Sequence, residues 1–174
     1  MKSIIDASKE FTFPASIDLV ISNFEKAEGL IFAKSNNIKT HFIRKIEFEK
    51  KIIRLLKEEN IEIICLAGFL QIISKNFVNK WKNRILNIHP SYLPHFKGLN
   101  PQKQAINAGA SFSGCSVHFI NEHIDDGKII LQKKVFLNDD EDIESLTKKI
   151  LKEENIIYPK ALKIVANKIL KRKN

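Results

Sequence analysis

Residues 61–67 read IEIICLA, a nearly continuous apolar run of strand length. A strand covered on one face alternates apolar and polar residues, whereas a strand covered on both faces is apolar throughout, as in parallel sheets flanked by helices. The preceding residues 47–59 carry apolar side chains at helical spacing on one face. Residues 61–67 are therefore predicted to form a central strand of an α/β sheet.

Strand and helix patterns alternate on both sides of this run, which is typical of a mostly parallel α/β sheet with helices on both faces. We expect one domain over residues 1–174, because the chain is long enough for one buried core and short for two. The predicted strands are residues 17–21, 40–43, 61–67, 85–88, 113–120 and 128–136. The predicted helices are residues 26–36, 47–59, 74–81 with Ser74 as N-cap, 102–107, and 143–170 with a break near Pro159.

Composition narrows the class of protein. The chain has 44% hydrophobic and 28% charged residues, which fits a globular protein. The net charge of +9 allows an anionic partner, but the lysines are scattered, and we favour biased composition over nucleic-acid binding.

Cys65 and Cys115 lie in apolar surroundings and belong to no CxxC pair, so reduced buried thiols are favoured over a disulfide or zinc site. No apolar run reaches membrane length and the start lacks a signal-peptide pattern, so we expect a cytoplasmic protein without a membrane partner.

The first group of candidate chemical residues is the segment NIHPS at residues 87–91. It follows a predicted strand, and ligands gather at the carboxyl ends of parallel strands. Asn87 and His89 are two residues apart, so both project from one face of the strand. A histidine that only bonds a nearby carbonyl is the alternative interpretation.

The second group is the segment IDDG at residues 124–127, after the strand GCSVHF. A carboxylate there can reach His89, orient its ring and favour the protonated form. Asp125 and Asp126 are adjacent, so we expect at most one of them to face the site. An ordinary Asp-Gly turn is the alternative.

Taken together, these stretches resemble the glycinamide ribonucleotide formyltransferase family. The matching segments are LAGFLQIIS (66–74), ILNIHPSYLP (85–94), KGL (97–99), GCSVHFI (114–120), DDGKIILQ (125–132) and EENIIYP (153–159). The resemblance implies a Rossmann-like formyltransferase fold. It also implies formyl transfer from 10-formyltetrahydrofolate, as co-substrate, to the amine of 5'-phosphoribosylglycinamide in purine biosynthesis. The resemblance implies no metal, and it is compatible with either a monomer or a homodimer.

The resemblance also assigns roles to residues. Asn87 and His89 would stabilise the oxyanion formed when the amine attacks the formyl carbon, with His89 as proton donor and Asp125 keeping it charged. Lys45, Leu70, Gln71, Ile72 and Ile73, with Asn87, would contact the folate. The position of Gln71 is often arginine in the family, so a charge contact to the folate glutamate is in doubt. Glu154 and His118 would lie near the ribonucleotide, although a surface glutamate and a structural histidine are the alternatives.

Two other functions remain open. Hydrolysis of 10-formyltetrahydrofolate could use the same histidine and aspartate, and an inactive basic binding protein could use the positive surface. The resemblance further implies that the family's first strand and its phosphate-binding turn are missing, since residues 1–6 resemble the inside of the helix that follows them. We therefore expect residues 17–21 and 61–67 to face a gap.

Overall fold

The computed structural model describes residues 1–44, 48–69 and 73–173. The strands within these ranges are β1 (Leu19–Ser22), β2 (Lys39–Phe42), β3 (Ile64–Leu66), β4 (Ile85–His89), β5 (Phe112–Phe119) and β6 (Ile129–Phe136). The helices are α1 (Lys2–Ser8), α2 (Glu28–Ser35), α3 (Phe48–Glu58), α4 (Lys75–Lys80), α5 (Pro101–Asn107) and α6 (Ile143–Leu170). Each predicted strand and helix is present, with ends that differ by at most three residues.

The strands form an α/β arrangement, which confirms the predicted fold class. β1 pairs in parallel with β2, and β3 pairs in parallel with β4. β5 runs antiparallel to both β4 and β6. The second sheet therefore has the order β3-β4-β5-β6, with β4 and β5 in its middle.

A gap separates the two sheets. Among the described residues, β1 pairs only with β2, and β3 has β4 as its single neighbour. Between β1 and β3 lies a cavity of about 1020 Å³, lined by both strands and by apolar residues of α1 and α6. The strands predicted at residues 17–21 and 61–67 thus face a gap.

The predicted break near Pro159 is wrong, because α6 runs unbroken from Ile143 to Leu170. Proline removes the N–H that would bond the carbonyl of Asn155, at a cost of about 3 kcal/mol. Burial of one face of the helix outweighs that cost, since each buried aliphatic or aromatic side chain contributes about 1.5 to 3 kcal/mol. The buried residues are Leu146, Ile150, Ile157, Tyr158, Ala161, Leu162, Val165 and Ala166.

Two features of α4 follow the sequence prediction. Ser74 caps the helix, with its Oγ accepting from the N–H of Phe77 at 3.2 Å. Trp81 packs in an apolar cluster with Phe77, Leu56 and Ile85, which joins α4 to α3 and β4. The helix therefore fixes the position from which β4 enters the sheet.

Within the described part of the chain, no helix is both long enough and apolar enough to cross a bilayer. Both cysteines are free thiols, and burial raises the pKa of each to about 12.

Candidate active site

Three of the predicted site residues come from the pairing of β4 with β5. In this antiparallel register Asn87 lies opposite His118, and His89 lies opposite Ser116. Asn87 Nδ2 is 3.3 Å from His118 Nε2. The two-residue spacing puts Asn87 and His89 on one face of the strand, as alternation predicts, and β4 ends at His89.

His118 lies among Phe119, Asn87 and Asp125, with its Nε2 3.6 Å from Asp125 Oδ1. Its Nδ1 is 2.9 Å from the carbonyl oxygen of Phe119, so Nδ1 carries the proton and donates. Burial lowers the pKa of His118, although the Phe119 carbonyl and Asp125 oppose that shift. Its Nε2 therefore accepts from Asn87 Nδ2, which leaves the second hydrogen of that amide for another acceptor.

His89 has an acceptor beside each ring nitrogen. Nδ1 is 3.3 Å from Asp125 Oδ2, and Nε2 is 3.0 Å from the carbonyl oxygen of Phe96. The imidazolium form satisfies both acceptors, since only that form donates from both nitrogens. The side chains of His89 and Asp125 are 8% and 11% exposed, so the pair is shielded from screening by water and salt.

The two adjacent aspartates have different surroundings. Asp125 faces the site, where Oδ2 also accepts from the N–H of Gly98 at 2.9 Å. Asp126 points outward and pairs with Lys97, whose hydrogen bond and charge lower the pKa of that carboxyl. The structure thus places one of the two carboxylates at His89.

Backbone geometry makes this separation possible. Asp125 has φ +48°, in the left-handed region that Asp tolerates better than most residues. Gly127 follows, and a Cβ there would lie 1.6 Å from the carbonyl oxygen of Phe119. Only glycine therefore fits at position 127. The close contact with Phe119 lets the chain turn and enter β6.

A buried polar network supports the loop that follows His89. Ser116 Oγ donates to the carbonyl of Ser91 at 2.7 Å and accepts from the N–H of Leu93 at 3.0 Å. Gln132 Nε2 donates to the carbonyl of Leu93 at 2.7 Å and to Ser116 Oγ at 2.9 Å. These bonds fix residues 91–93 against β5 and β6.

The remaining predicted contacts are placed as follows. Lys45, Leu70, Gln71 and Ile72 lie outside the described residues. Ile73, Leu66 and Ile120 each pack against the apolar cluster around Trp81, and Leu66 is the last residue of β3.

Glu154 lies on the inner face of α6, near Cys65 and Tyr158. Burial raises its pKa to about 7, although the amino group of Met1 opposes that shift. In the described ranges, no hydrogen bond or ion pair joins Glu154 to Asn87, His89 or Asp125.

Two backbone groups at the site escaped the sequence prediction. The Phe96 carbonyl accepts from His89, and the Gly98 N–H donates to Asp125. The segment KGL matches the family, but a backbone group carries no residue-type signal of its own. Its glycine, at φ +79°, was the one available hint of an unusual loop.

The described residues contain no group of three or more His, Cys, Asp or Glu side chains that could hold a metal ion. The 1020 Å³ cavity is lined by β1 and β3 and includes none of the side chains of Asn87, His89, His118 and Asp125. The reactive groups therefore lie outside this cavity, at the end of β4.

Comparison with known proteins identifies the family of this chain. The formyl transferase family model matches residues 1–162. The chain is 37% identical over 169 residues to a phosphoribosylglycinamide formyltransferase of Haemophilus influenzae, covering 94% of this chain and 80% of the relative. It is 40% identical over 173 residues to the human trifunctional purine biosynthetic protein adenosine-3, covering 96% of this chain. The chain spans 17% of the length of that larger protein.

Solved structures show the same likeness. The crystal structure of phosphoribosylglycinamide formyltransferase from Anaplasma phagocytophilum superposes with a TM-score of 0.92 at 38% identity, covering 96% of this chain and 80% of that one. The enzyme from Brucella melitensis gives a TM-score of 0.90 at 37% identity, covering 95% and 88%. The chain therefore belongs to the formyl transferase family, and within it to the phosphoribosylglycinamide formyltransferases.

Proposed function

We propose that this chain transfers a formyl group from 10-formyltetrahydrofolate to the amine of 5'-phosphoribosylglycinamide. The observation that carries the proposal is the arrangement of Asn87, His89 and Asp125 at the carboxyl end of β4. The names of the relatives support the choice of donor and acceptor.

The reaction needs a hydrogen-bond donor for an oxyanion and a group that transfers a proton, and this arrangement can supply both. The amine nitrogen attacks the formyl carbon, and the carbonyl oxygen becomes an oxyanion in the tetrahedral intermediate. Asn87 Nδ2 has a free hydrogen for that oxygen, because its other hydrogen is bonded to His118. A preorganised donor of this kind is worth about 3 to 4 kcal/mol in the transition state.

Proton transfer completes the exchange. The C–N bond to N10 of the folate breaks, N10 gains one proton, and the attacking amine loses one. His89 is the proposed donor and acceptor: Asp125 stabilises its charged form at Nδ1, and Nε2 would exchange the Phe96 carbonyl for the substrate nitrogen during proton transfer. The products are the formylated amide and tetrahydrofolate.

Substrate contacts beyond this centre are also proposals. The apolar group of Leu66, Ile73 and Ile120 would border the folate, together with positions 45 and 70–72. His118 would contact substrate only through Asn87, because its Nδ1 is bonded to Phe119 and its Nε2 to Asn87. Glu154 is proposed as a ribonucleotide contact, and its raised pKa is consistent with a carboxylate kept from water.

The test is a spectrophotometric assay of folate product with and without phosphoribosylglycinamide. We expect product only when the ribonucleotide is present. We also expect His89→Ala to lower turnover about 10²- to 10³-fold, and Asn87→Ala to lower it less, with unchanged circular dichroism. Product at an equal rate without the ribonucleotide would mean hydrolysis, and wild-type turnover in His89→Ala would refute the proposed role of that residue.

A further inference from the structure

The loop formed by residues 96–99 controls the partners of both nitrogens of His89. The carbonyl of Phe96 accepts from Nε2 at 3.0 Å. The N–H of Gly98 holds Asp125 Oδ2 at 2.9 Å, and that oxygen is 3.3 Å from Nδ1. A small shift of this loop would therefore move both acceptors of the imidazole together.

The backbone of this loop is unfavourable on its own. Phe96 has φ +56°, Gly98 has φ +79°, and Asn100 has φ +53°. A left-handed conformation costs a residue other than glycine about 1 to 3 kcal/mol and persists only where neighbours hold it. The left-handed conformation is least favourable for the bulky Phe96, so residues outside the loop must hold it in place.

Gln104 supplies such an anchor from α5. Its Nε2 donates to the carbonyl of Lys97 and to the carbonyl of Leu99, each at 2.9 Å. These two carbonyls flank Gly98, so one amide group fixes the orientation of the peptide that holds Asp125. The helix beneath it is itself fixed by buried Pro101 and Ala105.

A surface ion pair also ties the loop, and it is weaker. Lys97 pairs with Asp126 at the surface, where both side chains are well exposed. Exposed ion pairs contribute about 0 to 1 kcal/mol and are screened by salt. The two Gln104 bonds are neutral, and the one to the Lys97 carbonyl is partly buried, so salt does not screen them as it screens the ion pair.

We propose that Gln104 is a positioning residue for formyl transfer: it holds residues 96–99 so that Phe96 and Asp125 orient the His89 ring. This inference rests on the proposed function for its activity readout. Gln104 contacts no reacting atom, and it acts through the loop and Asp125.

The test compares Gln104→Glu and Gln104→Ala with the control Gln102→Glu. Gln104→Glu keeps the shape of the side chain but replaces the double donor with an acceptor facing two carbonyls. Gln102 lies on the same helix and makes neither of these bonds, so Gln102→Glu repeats the charge change alone. Circular dichroism, together with a melting temperature above the assay temperature, establishes that each variant is folded.

We expect both Gln104 variants to lower kcat about 10- to 100-fold while KM for the folate changes less than about threefold, as for misplaced catalytic groups. We also expect the ring nitrogen NMR signals of His89 to move in the Gln104 variants and to stay in Gln102→Glu. The NMR readout needs no turnover, so an inactive wild-type protein would refute the proposed function while the His89 signals would still test the role of Gln104. Folded Gln104 variants with unchanged His89 signals, or with wild-type kcat, would overturn the inference, as would an equal loss in Gln102→Glu.

Discussion

Asp125 and Asp126 offer a matched pair of adjacent carboxylates. Asp125 accepts from Gly98 and faces His89, whereas Asp126 points to solvent and pairs with Lys97. We expect Asp125→Asn to lower formyl transfer at least about 10²-fold, because the amide cannot stabilise the charged imidazole. Asp126→Asn loses only an exposed ion pair and should keep most of the turnover. Steady-state kinetics of the two variants check this, and equal losses would contradict it.

Replacing each of two buried serines on β5 by alanine should have different effects on the free energy of unfolding. Ser116 Oγ bonds Ser91, Leu93 and Gln132, whereas Ser113 Oγ has no partner within the described part of the chain. Ser116→Ala should lower the free energy of unfolding by about 1 to 3 kcal/mol, since it leaves a buried N–H unpaired. Ser113→Ala should be neutral or stabilising, because it removes a buried hydroxyl that lacks a bond. Urea denaturation of both variants measures the difference, and a larger loss in Ser113→Ala would refute this account.

Individual site residues were predictable only where a side chain carries the signal. The spacing of Asn87 and His89 and the chemistry of an Asp-Gly turn pointed to three groups that the structure brings together. The tautomer of His118 and the role of the Phe96 carbonyl depend on a loop conformation and a strand register. Neither can be derived from residue types alone.

Helix α6 shows how tertiary packing overrides local preference. Pro159 predicted a break, and the helix continues because its buried face packs against the sheet. Strand and helix positions were otherwise predictable from apolar periodicity. The antiparallel pairing of β4 with β5 was not predicted, because periodicity shows which residues are buried and not which strand is the neighbour.

The same helix carries a pH-dependent contribution at Glu154. Its pKa is raised from 4.5 to about 7 by burial, so the folded state holds a proton that the unfolded state has lost. That contribution is present below pH 4.5 and is lost as pH rises through 7. Glu154→Gln should therefore raise the free energy of unfolding at pH 8 by about 1 to 3 kcal/mol and change it little at pH 4.

Thermal melting of wild type and Glu154→Gln at both pH values measures this effect. Glu153→Gln, one position earlier on α6, is the control, and its effect should not depend on pH in this way. A Glu154→Gln variant with equal effects at pH 4 and pH 8 would contradict the assignment. If Glu154 also binds the ribonucleotide, the stabilised variant should bind it more weakly, as is common where a site stores instability.

The molecule as a whole has a sheet divided by the cavity between β1 and β3. Both strands expose one hydrogen-bonding edge to that cavity among the described residues. We expect an added extended peptide, about five Val and Ile residues flanked by lysines, to pair with both edges and raise the melting temperature. Each new hydrogen bond contributes about 0.5 to 1.5 kcal/mol, and each kcal/mol corresponds to about 2 to 4 °C.

A peptide of the same length with proline at alternate positions is the control, because proline lacks the N–H that the edge needs. Amide hydrogen exchange should show new protection at residues 19–22 and 64–66. Equal stabilisation by both peptides, or protection confined to β2 or β6, would show that the gap does not accept a strand.

The two thiols give this gap a chemical reporter. Cys65 lines the cavity and Cys115 is fully buried in the second sheet, yet burial raises the pKa of both to about 12. Burial disfavours the reactive thiolate at both sulfurs, so each sulfur must become accessible before it is alkylated. Modification of Cys115 requires the second sheet to open, whereas modification of Cys65 requires only that the cavity admit the reagent. Faster alkylation of Cys65 than of Cys115 would thus show that the cavity between the two sheets admits the reagent while the second sheet stays closed.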